Sequence, residues 1–174
     1  MNLEKAMGTL LRQNGWTLSV AESCTGGLVS DRITNISGSS DYFEGGIVSY
    51  SNRAKAMYLS IPMKVIERYG AVSPQVARRM AQGVRKAFRT TFGLSTTGVA
   101  GPTGGTKKTP VGRVFIAVSD GKKTRVSEET FKGTRRTIKK EAGERSLRLL
   151  YDFLLKESQR KNRRAHSAKR KANQ

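Results

Sequence analysis

The stretch WTLSVAESCTGGLVSDRIT, residues 16–34, passes from one kind of regular structure into another. Its first part, WTLSVA, is short and mostly apolar, which predicts a strand. From Thr25 to about Ile36 the apolar residues fall on one face of a helix. Between the two, AESCTGG at residues 21–27 brings together a carboxylate, a thiol, two hydroxyls and two glycines. The stretch therefore predicts a strand–turn–helix unit that carries its reactive groups in the turn.

The rest of the chain continues this alternation and then changes to a hairpin. Helices are predicted at residues 3–13, 53–60, 63–69, from Pro74 onward and at 135–156, and strands at 45–51, 93–98, 111–119 and 123–131. The sequence DGKK separates the last two strands and is a hairpin signal. Strands that alternate with helices and end in a hairpin predict a single three-layer α/β/α domain with a mixed sheet.

The charge of the chain is strongly positive and unevenly placed. Lys and Arg number 33 against 13 Asp and Glu, which gives a net charge of +20, and residues 156–174 alone carry +7. Apolar periodicity stops after Lys156, so residues 158–174 are predicted to be a disordered basic tail behind a domain at 1–157. A basic surface attracts phosphates, either of a small nucleotide or of a nucleic acid.

Cysteine usage and hydropathy indicate where the protein works. Cys24 is the only cysteine, so no internal disulfide can form. The sequence has no long apolar run and no secretory leader. These features predict a soluble, cytoplasmic protein.

Several common kinds of site are excluded by residue counts. The one histidine, His166, lies in the basic tail, which argues against a Ser–His–Asp triad in the folded domain. One Cys and one His make a zinc site equally improbable. The segment GVAGPTGGTKKT lacks the spacing of a phosphate-binding Walker loop.

The residue types left for catalysis are Ser, Thr, Lys, Tyr, Arg and the carboxylates, and among them Ser23 is a candidate nucleophile and Lys55 a candidate base. Ser23 and Lys55 both follow predicted strands, and strand ends form the binding crevice of an open α/β sheet. A lysine can take the proton of a serine if burial lowers its pKa. Gly26 and Gly27 would let backbone N–H groups approach an oxyanion at a helix N-terminus.

A purely structural interpretation of the same residues stays open. Ser23 or Thr25 could cap the following helix, with Glu22 accepting from nearby backbone donors. On this interpretation Cys24 is a packed core residue and Lys55 an ordinary solvated helix residue.

Longer segments carry a family resemblance. AESCTGGLVSDRITNISGSSDYFEGGIVSYSNRAK, YGAVSPQVARRMAQGV, TTGVAGPTGG, KTPVGRVFIAV and FKGTRR closely resemble, in this order, the C-terminal domain family of the competence/damage-inducible protein CinA. The resemblance covers about residues 3–157. It implies an α/β/α fold and, as in stand-alone members, hydrolysis of the carboxamide of nicotinamide mononucleotide to nicotinate mononucleotide and ammonia.

The resemblance also implies roles for individual residues. Ser23 matches the nucleophile, with Lys55 as base and Tyr50 orienting or relaying the proton. Backbone N–H groups around Cys24–Gly27 would hold the oxyanion, and the loop Gly98–Gly105 with Arg135 would take the 5′-phosphate. The substrate-binding residues predicted in this way are Thr25, Gly26, Gly27, Thr97, Gly98, Gly101, Gly104, Gly105 and Arg135. No metal or other cofactor is required.

Two other functions compete with the enzyme. The domain could be a catalytically silent nucleotide-binding module, and ammonia release would separate the two. Alternatively, the protein could associate with nucleic acid through its basic tail, without sequence preference. Family precedent and apolar helix faces favour a homo-oligomer.

Overall fold

The strand predicted from WTLSVA forms as β1, Leu18–Glu22, in the computed structural model, which describes residues 2–172. The other strands are β2 Phe43–Val48, β3 Phe92–Gly98, β4 Arg113–Ser119 and β5 Thr124–Thr130. The helices are α1 Leu3–Asn14, α2 Leu28–Thr34, α3 Asn52–Leu59, α4 Met63–Tyr69, α5 Pro74–Phe88 and α6 Arg135–Ala172, with a short 3-10 helix at Ser39–Asp41.

The five strands form one mixed sheet in the order β2-β1-β3-β4-β5. β1 pairs in parallel with both β2 and β3, whereas β4 runs antiparallel to β3 and to β5. The prediction of a mixed sheet with a late hairpin is confirmed. Because β1 lies between β2 and β3 and is parallel to both, the carboxyl ends of β1, β2 and β3 meet at one edge. This edge is called the carboxyl edge below.

Helices cover both faces of the sheet. α1, α2 and α6 contact one another on one face, and α3 and α4 pack with α5 on the other. The larger core lies beneath α1 and α6 and includes Met7, Val20 and Leu150, all fully buried. A second core forms around Met80 of α5. The three-layer architecture predicted from the sequence is therefore confirmed.

α2 begins later than predicted. Its first residue is Leu28 rather than Thr25, because Gly26 and Gly27 have φ angles of 62° and 98°. Such left-handed angles are accessible to glycine at little steric cost. The two glycines thus turn the chain between β1 and α2 before the helix starts.

α6 is described as far as Ala172 and so extends past the predicted domain boundary at 157. Lys, Arg, Gln and Ala favour helices, and extending a helix that is already packed needs no new nucleus. The start of the predicted tail contacts the domain: Asn14 Nδ2 donates to Ser158 Oγ at 3.4 Å, and Lys161 Nζ donates to the Asn14 carbonyl at 3.1 Å. The boundary at 157 stays a prediction, and residues 173 and 174 lie outside the described range.

Within residues 2–172 no helix combines the length and the apolar character that a membrane crossing requires.

Candidate active site

Ser23 lies at the carboxyl edge, directly after strand β1, which pairs with β2 on one side and β3 on the other. Its N–H donates to the Thr96 carbonyl at 3.0 Å, which continues the pairing of β1 with β3 for one more residue. The side chain is buried, with 8% of the residue exposed. The sheet therefore holds the backbone of Ser23 in a fixed position, and the hydroxyl lies in a largely enclosed site.

Lys55 reaches Ser23 from α3. Ser51 caps this helix by accepting from the Ala54 N–H at 3.0 Å, and one turn later Lys55 and Leu59 share the face that packs against the domain. Lys55 Nζ donates to Ser23 Oγ at 3.0 Å and to the Ser49 carbonyl at 2.8 Å. Lys55 is 1% exposed. The sequence-based alternative of a solvated Lys55 is therefore wrong.

Burial changes the acidity of this lysine. It lowers the pKa of Lys55 from 10.5 to about 8, because the ammonium group loses its hydration. The neighbouring Cys24 has a smaller effect in the opposite direction. With a pKa of about 8, roughly a tenth of Lys55 is neutral at pH 7 and can accept a proton.

The Cys24 thiol beside Ser23 keeps its proton, whereas Lys55 gives up its proton more readily than an exposed lysine does. Cys24 is buried, and burial raises its pKa to about 12. A thiol with this pKa remains protonated at neutral pH and is a weak nucleophile. The interpretation of Cys24 as a packed residue is confirmed, and the serine hydroxyl is the better nucleophile in this turn.

Glu22 organises the turn that follows Ser23. Its carboxylate accepts from the N–H groups of Gly27 at 2.9 Å, Val29 at 3.1 Å and Ser30 at 2.8 Å, and from Ser30 Oγ at 2.8 Å. Glu22 is fully buried, so these donors offset the cost of removing its charge from water. The sequence-based alternative for Glu22 is thus confirmed, whereas neither Ser23 nor Thr25 caps α2.

The turn leaves two backbone donors for an oxyanion. The amides of Gly26 and Gly27 already donate to the Ser23 carbonyl and to Glu22. No backbone carbonyl of residues 2–172 accepts from the amides of Cys24 and Thr25. The oxyanion site around Cys24–Gly27 stays a prediction, with these two amides as its candidate donors.

The Tyr50 side chain is exposed and contacts Arg135. The residue is 59% exposed, and its hydroxyl accepts from Arg135 Nη2 at 2.6 Å. Only the backbone carbonyl of Tyr50 approaches Lys55 Nζ, at 3.4 Å. Arg135 also donates from Nη1 to the Gly101 carbonyl at 2.8 Å. Arg135 thus connects Tyr50 to the loop Gly98–Gly105, which is called the glycine loop below. Within residues 2–172, the Tyr50 hydroxyl makes no hydrogen bond to Lys55.

The two predicted threonines are buried supports. Thr25 Oγ1 and Thr96 Oγ1 lie 2.7 Å apart and share a hydrogen bond. Thr97 Oγ1 donates to the Ala71 carbonyl at 2.8 Å. Both hydroxyls tie the carboxyl edge to neighbouring segments, and a contact of either with substrate stays a prediction.

Close contacts and positive φ angles in the glycine loop explain why several of its residues are glycine. A Cβ at Gly98 would lie 2.6 Å from the Arg113 carbonyl oxygen, and one at Gly105 would lie 2.9 Å from Val111 Cγ2. Gly101 and Gly104 have φ angles of 74° and 83°. The backbone conformation and packing of the loop therefore favour glycine at these positions. Their role in holding substrate stays a prediction.

A cavity of about 1420 Å³ lies between α6 and the turn that follows Ser23, and Thr25 is the first residue of this turn that lines it. It is lined on one side by Thr25, Gly26 and Gly27 and on the other by the first turns of α6. The charged residues that line it are the cations Arg32, Arg135, Arg136, Lys139 and Lys140 and the carboxylates Asp31, Glu141 and Glu144. The positive charges outnumber the negative ones by two, which favours an anionic group.

Sequence reasoning found Arg135 and missed its three cationic neighbours. The signal was present, because residues four apart lie on one face of a helix and the segment RRTIKK repeats cations at this spacing. Within residues 2–172, no group of three His, Cys, Asp or Glu side chains is placed to hold a metal ion.

Comparison with known proteins adds the family context. Residues 1–154 match the model of the CinA C-terminal domain. The chain is 49% identical over 153 residues to a CinA-like protein of Syntrophus aciditrophicus (strain SB), which covers 87% of this chain and 36% of the relative. A CinA-like protein of Nostoc sp. is 54% identical over 118 residues, 68% of this chain and 28% of the relative. The chain thus spans about a third of the length of these relatives.

Solved structures agree with this match. A competence/damage inducible protein from Agrobacterium tumefaciens superposes with a TM-score of 0.82 at 34% identity, covering 86% of this chain and 94% of the other. A competence-damaged protein (CinA) superfamily protein from Escherichia coli superposes with a TM-score of 0.81 at 29% identity, covering 88% and 90% of the two chains.

Proposed function

The chain belongs to the CinA C-terminal domain family, and we propose that it hydrolyses the carboxamide of nicotinamide mononucleotide. The products are nicotinate mononucleotide and ammonia. The observation that carries the proposal is the 3.0 Å contact between Lys55 Nζ and Ser23 Oγ. A buried serine paired with a lysine of lowered pKa is an activated nucleophile that needs neither histidine nor metal.

The first half-reaction forms an acyl-enzyme. Ser23 Oγ attacks the carboxamide carbon while its proton passes to neutral Lys55. The negative charge that develops on the carbonyl oxygen is stabilised by the amides of Cys24 and Thr25. Collapse of the tetrahedral intermediate breaks the C–N bond, and the Lys55 ammonium returns the proton to the departing ammonia. The pyridinium ring assists because it withdraws electrons from the amide.

The second half-reaction restores the enzyme. Water attacks the Ser23 ester, Lys55 takes a proton from the water, and the same oxyanion donors hold the second tetrahedral intermediate. Cleavage of the ester bond returns the proton to Ser23 Oγ and releases the carboxylic acid. One water is consumed for each amide, so the atoms balance without a further reactant.

The cationic cavity supports the choice of a nucleotide. The 5′-phosphate would be bound by Arg135, oriented by Tyr50, together with Lys139 and other cations of the first turns of α6. Arg is suited to this task because its planar guanidinium binds phosphate through two parallel hydrogen bonds. The same cations give the site little attraction for uncharged nicotinamide.

One assay tests the proposal. Purified protein is incubated with nicotinamide mononucleotide, and ammonia and nicotinate mononucleotide are measured together, with nicotinamide as a control substrate that lacks the phosphate, the ribose and the pyridinium charge. Equal amounts of both products from the nucleotide, with much slower turnover of nicotinamide, are expected. Binding of the nucleotide without ammonia release would instead identify a catalytically silent module.

A further inference from the structure

A second cavity lies far from Ser23 and is rich in positive charge. Its volume is about 840 Å³. It is lined by Trp16, Thr91, Phe92, Asp120, Lys122, Lys123, Glu157, Arg160, Lys161, Arg163 and Arg164. We call it the basic groove. It is open at the surface, and all six of its cations are exposed.

The basic groove and the active site occupy opposite ends of the domain. β3 begins in the groove at Phe92 and ends beside the active site at Gly98. α6 likewise begins at Arg135 and reaches the groove at Arg160, about 37 Å further along at 1.5 Å per residue. A ligand in the groove is therefore not the substrate bound at Ser23.

The two carboxylates of the groove are already engaged. Glu157 pairs with Lys123 and, at 3.2 Å, with Arg160. Asp120 Oδ1 accepts from the N–H groups of Lys122 at 2.8 Å and Lys123 at 2.7 Å. Six cations against two occupied carboxylates leave a net charge of +4 across the groove. Such a cluster of positive charge attracts a polyanion.

The cations stand on two walls. Lys122 and Lys123 belong to the turn between β4 and β5, and the other cations belong to α6. Cations that are spaced along two elements can each contact a different charge of a polymeric ligand. A polynucleotide backbone carries one negative charge per nucleotide and is such a ligand.

An aromatic ring lies between these walls. Trp16 packs edge-on against Phe92, with ring centroids 5.2 Å apart, and Lys161 Nζ lies 5.7 Å from the centre of the Trp16 ring. The sequence of the tail contains no aromatic residue, and the fold supplies one from the segment before β1. Proteins that bind single strands combine a basic groove with aromatic rings against which bases stack.

We propose that the basic groove binds single-stranded nucleic acid. The cations of the two walls contact the phosphates, and a base occupies the space beside Trp16. Acidic peptides share the charge of a polynucleotide but have no base to place against the ring, so the aromatic residue favours the nucleic acid. Binding of this kind has no strong sequence preference.

The experiment uses the full chain and the fluorescence of Trp16, which is its only tryptophan. Oligo(dT) of about 20 nucleotides, long enough to exceed the usual site size, is titrated at about 50–200 mM salt. Poly-glutamate of matched charge is titrated in parallel. We expect the DNA to quench Trp16 and the affinity to fall steeply with salt, while poly-glutamate causes little quenching.

Two sets of charge reversals locate the binding. The groove variant carries Lys122→Glu, Arg163→Glu and Arg164→Glu, and the control carries the same reversal at three exposed cations elsewhere, Lys64, Arg79 and Lys86. The groove variant should bind oligo(dT) about tenfold or more weakly and with a flatter salt dependence, while the control changes little. Circular dichroism checks the fold of both, and amidase turnover should be unaffected in both.

Three results would overturn the proposal. Equal losses in both variants would mean that overall charge, rather than the groove, attracts DNA. Binding without any change in Trp16 fluorescence would place the DNA elsewhere. Equal affinity and quenching with poly-glutamate would instead point to an acidic protein partner.

Discussion

Lys55 Nζ donates a hydrogen bond of 3.0 Å to Ser23 Oγ, and both side chains are buried at the carboxyl edge of the sheet. The lysine comes from the helix that follows the edge strand β2, and the serine directly follows the interior strand β1. A charged amine is costly in such a place, since a buried cation loses its hydration without recovering it from a neutral hydroxyl. An arrangement that costs stability and activates a nucleophile is typical of a catalytic site.

Replacing Ser23 by Ala tests the nucleophile. Turnover of nicotinamide mononucleotide should fall by roughly three powers of ten or more, as for other covalent nucleophiles. The fold should persist, because the Ser23 backbone, not its side chain, pairs with Thr96. Ammonia release and thermal unfolding are measured together, with Ser37→Ala, an exposed serine in the turn that follows α2, as control. More than a tenth of wild-type turnover in Ser23→Ala would remove the serine from the mechanism.

The pH dependence of the reaction tests the base. With the pKa of Lys55 lowered to about 8, kcat/KM should rise with pH and level off above about pH 8. Below this pKa, each unit of pH changes the neutral fraction about tenfold. Lys55→Arg keeps a positive charge but cannot release its proton, so it should be as inactive as Lys55→Ala. Lys64→Arg, an exposed lysine on α4, should keep the wild-type profile. Substantial activity of Lys55→Arg would mean that Lys55 binds substrate charge and is not the base.

The position of Ser23 was predictable from local pattern, because the strand β1 and the glycines after it place the residue at a strand end. The burial of Lys55 could not be predicted from local pattern. In sequence a lysine on a short helix is most simply a solvated residue, and only the packing of α3 against the domain decides otherwise. The residue pattern proposed Ser23 and Lys55 as a pair, the resemblance favoured the pair, and the structure supplies the distance between the two side chains.

The end of α6 lies beyond the domain boundary that was predicted from composition. Low hydrophobicity and high charge predict disorder for an isolated segment. Residues 158–172 continue a helix that packing already nucleates, so their own helix propensity suffices. Composition also could not reveal the basic groove, because Trp16 and Arg160 are far apart in sequence and meet only through the fold.

Tyr50→Phe distinguishes two roles for the tyrosine. Its hydroxyl accepts from Arg135 at 2.6 Å, so the change should loosen Arg135 and raise KM several-fold while kcat changes little. A proton relay through Tyr50 would predict the opposite, a fall in kcat of roughly 100-fold or more. Steady-state kinetics separate the two. Tyr58→Phe, another exposed tyrosine on α3, is the matched control and should leave both constants unchanged.

Glu22→Gln tests the support of the oxyanion donors. The buried carboxylate accepts four hydrogen bonds from the start of α2, and an amide group would turn a donor toward some of these N–H groups. We expect a loss of about 1–3 kcal/mol in the free energy of unfolding. Because the amides of Cys24 and Thr25 would shift, kcat should also fall by roughly 10- to 100-fold with little change in KM.

Glu44→Gln, on the exposed side of β2, is the control for this change and should leave both stability and kcat unaltered. The pH profile of Glu22→Gln should keep its midpoint near pH 8, since Lys55 remains in place. A variant that loses stability but keeps wild-type kcat would show that Glu22 holds the helix and not the oxyanion donors.

Lys55→Met tests how the catalytic amine affects stability. The pKa of Lys55 is lower in the folded protein, about 8, than its ordinary value of 10.5. The unfolded chain therefore binds this proton more tightly, and the destabilisation is complete below about pH 8 and disappears as the pH rises through about 10.5. Methionine carries no such proton. The stability of Lys55→Met relative to wild type should accordingly fall by about 2 kcal/mol between pH 7 and pH 10. Urea unfolding at both pH values measures this difference, and Lys64→Met, at an exposed lysine, should show almost none. An equal stability difference at the two pH values would mean that folding does not lower the pKa of Lys55, and the base would have to be sought elsewhere.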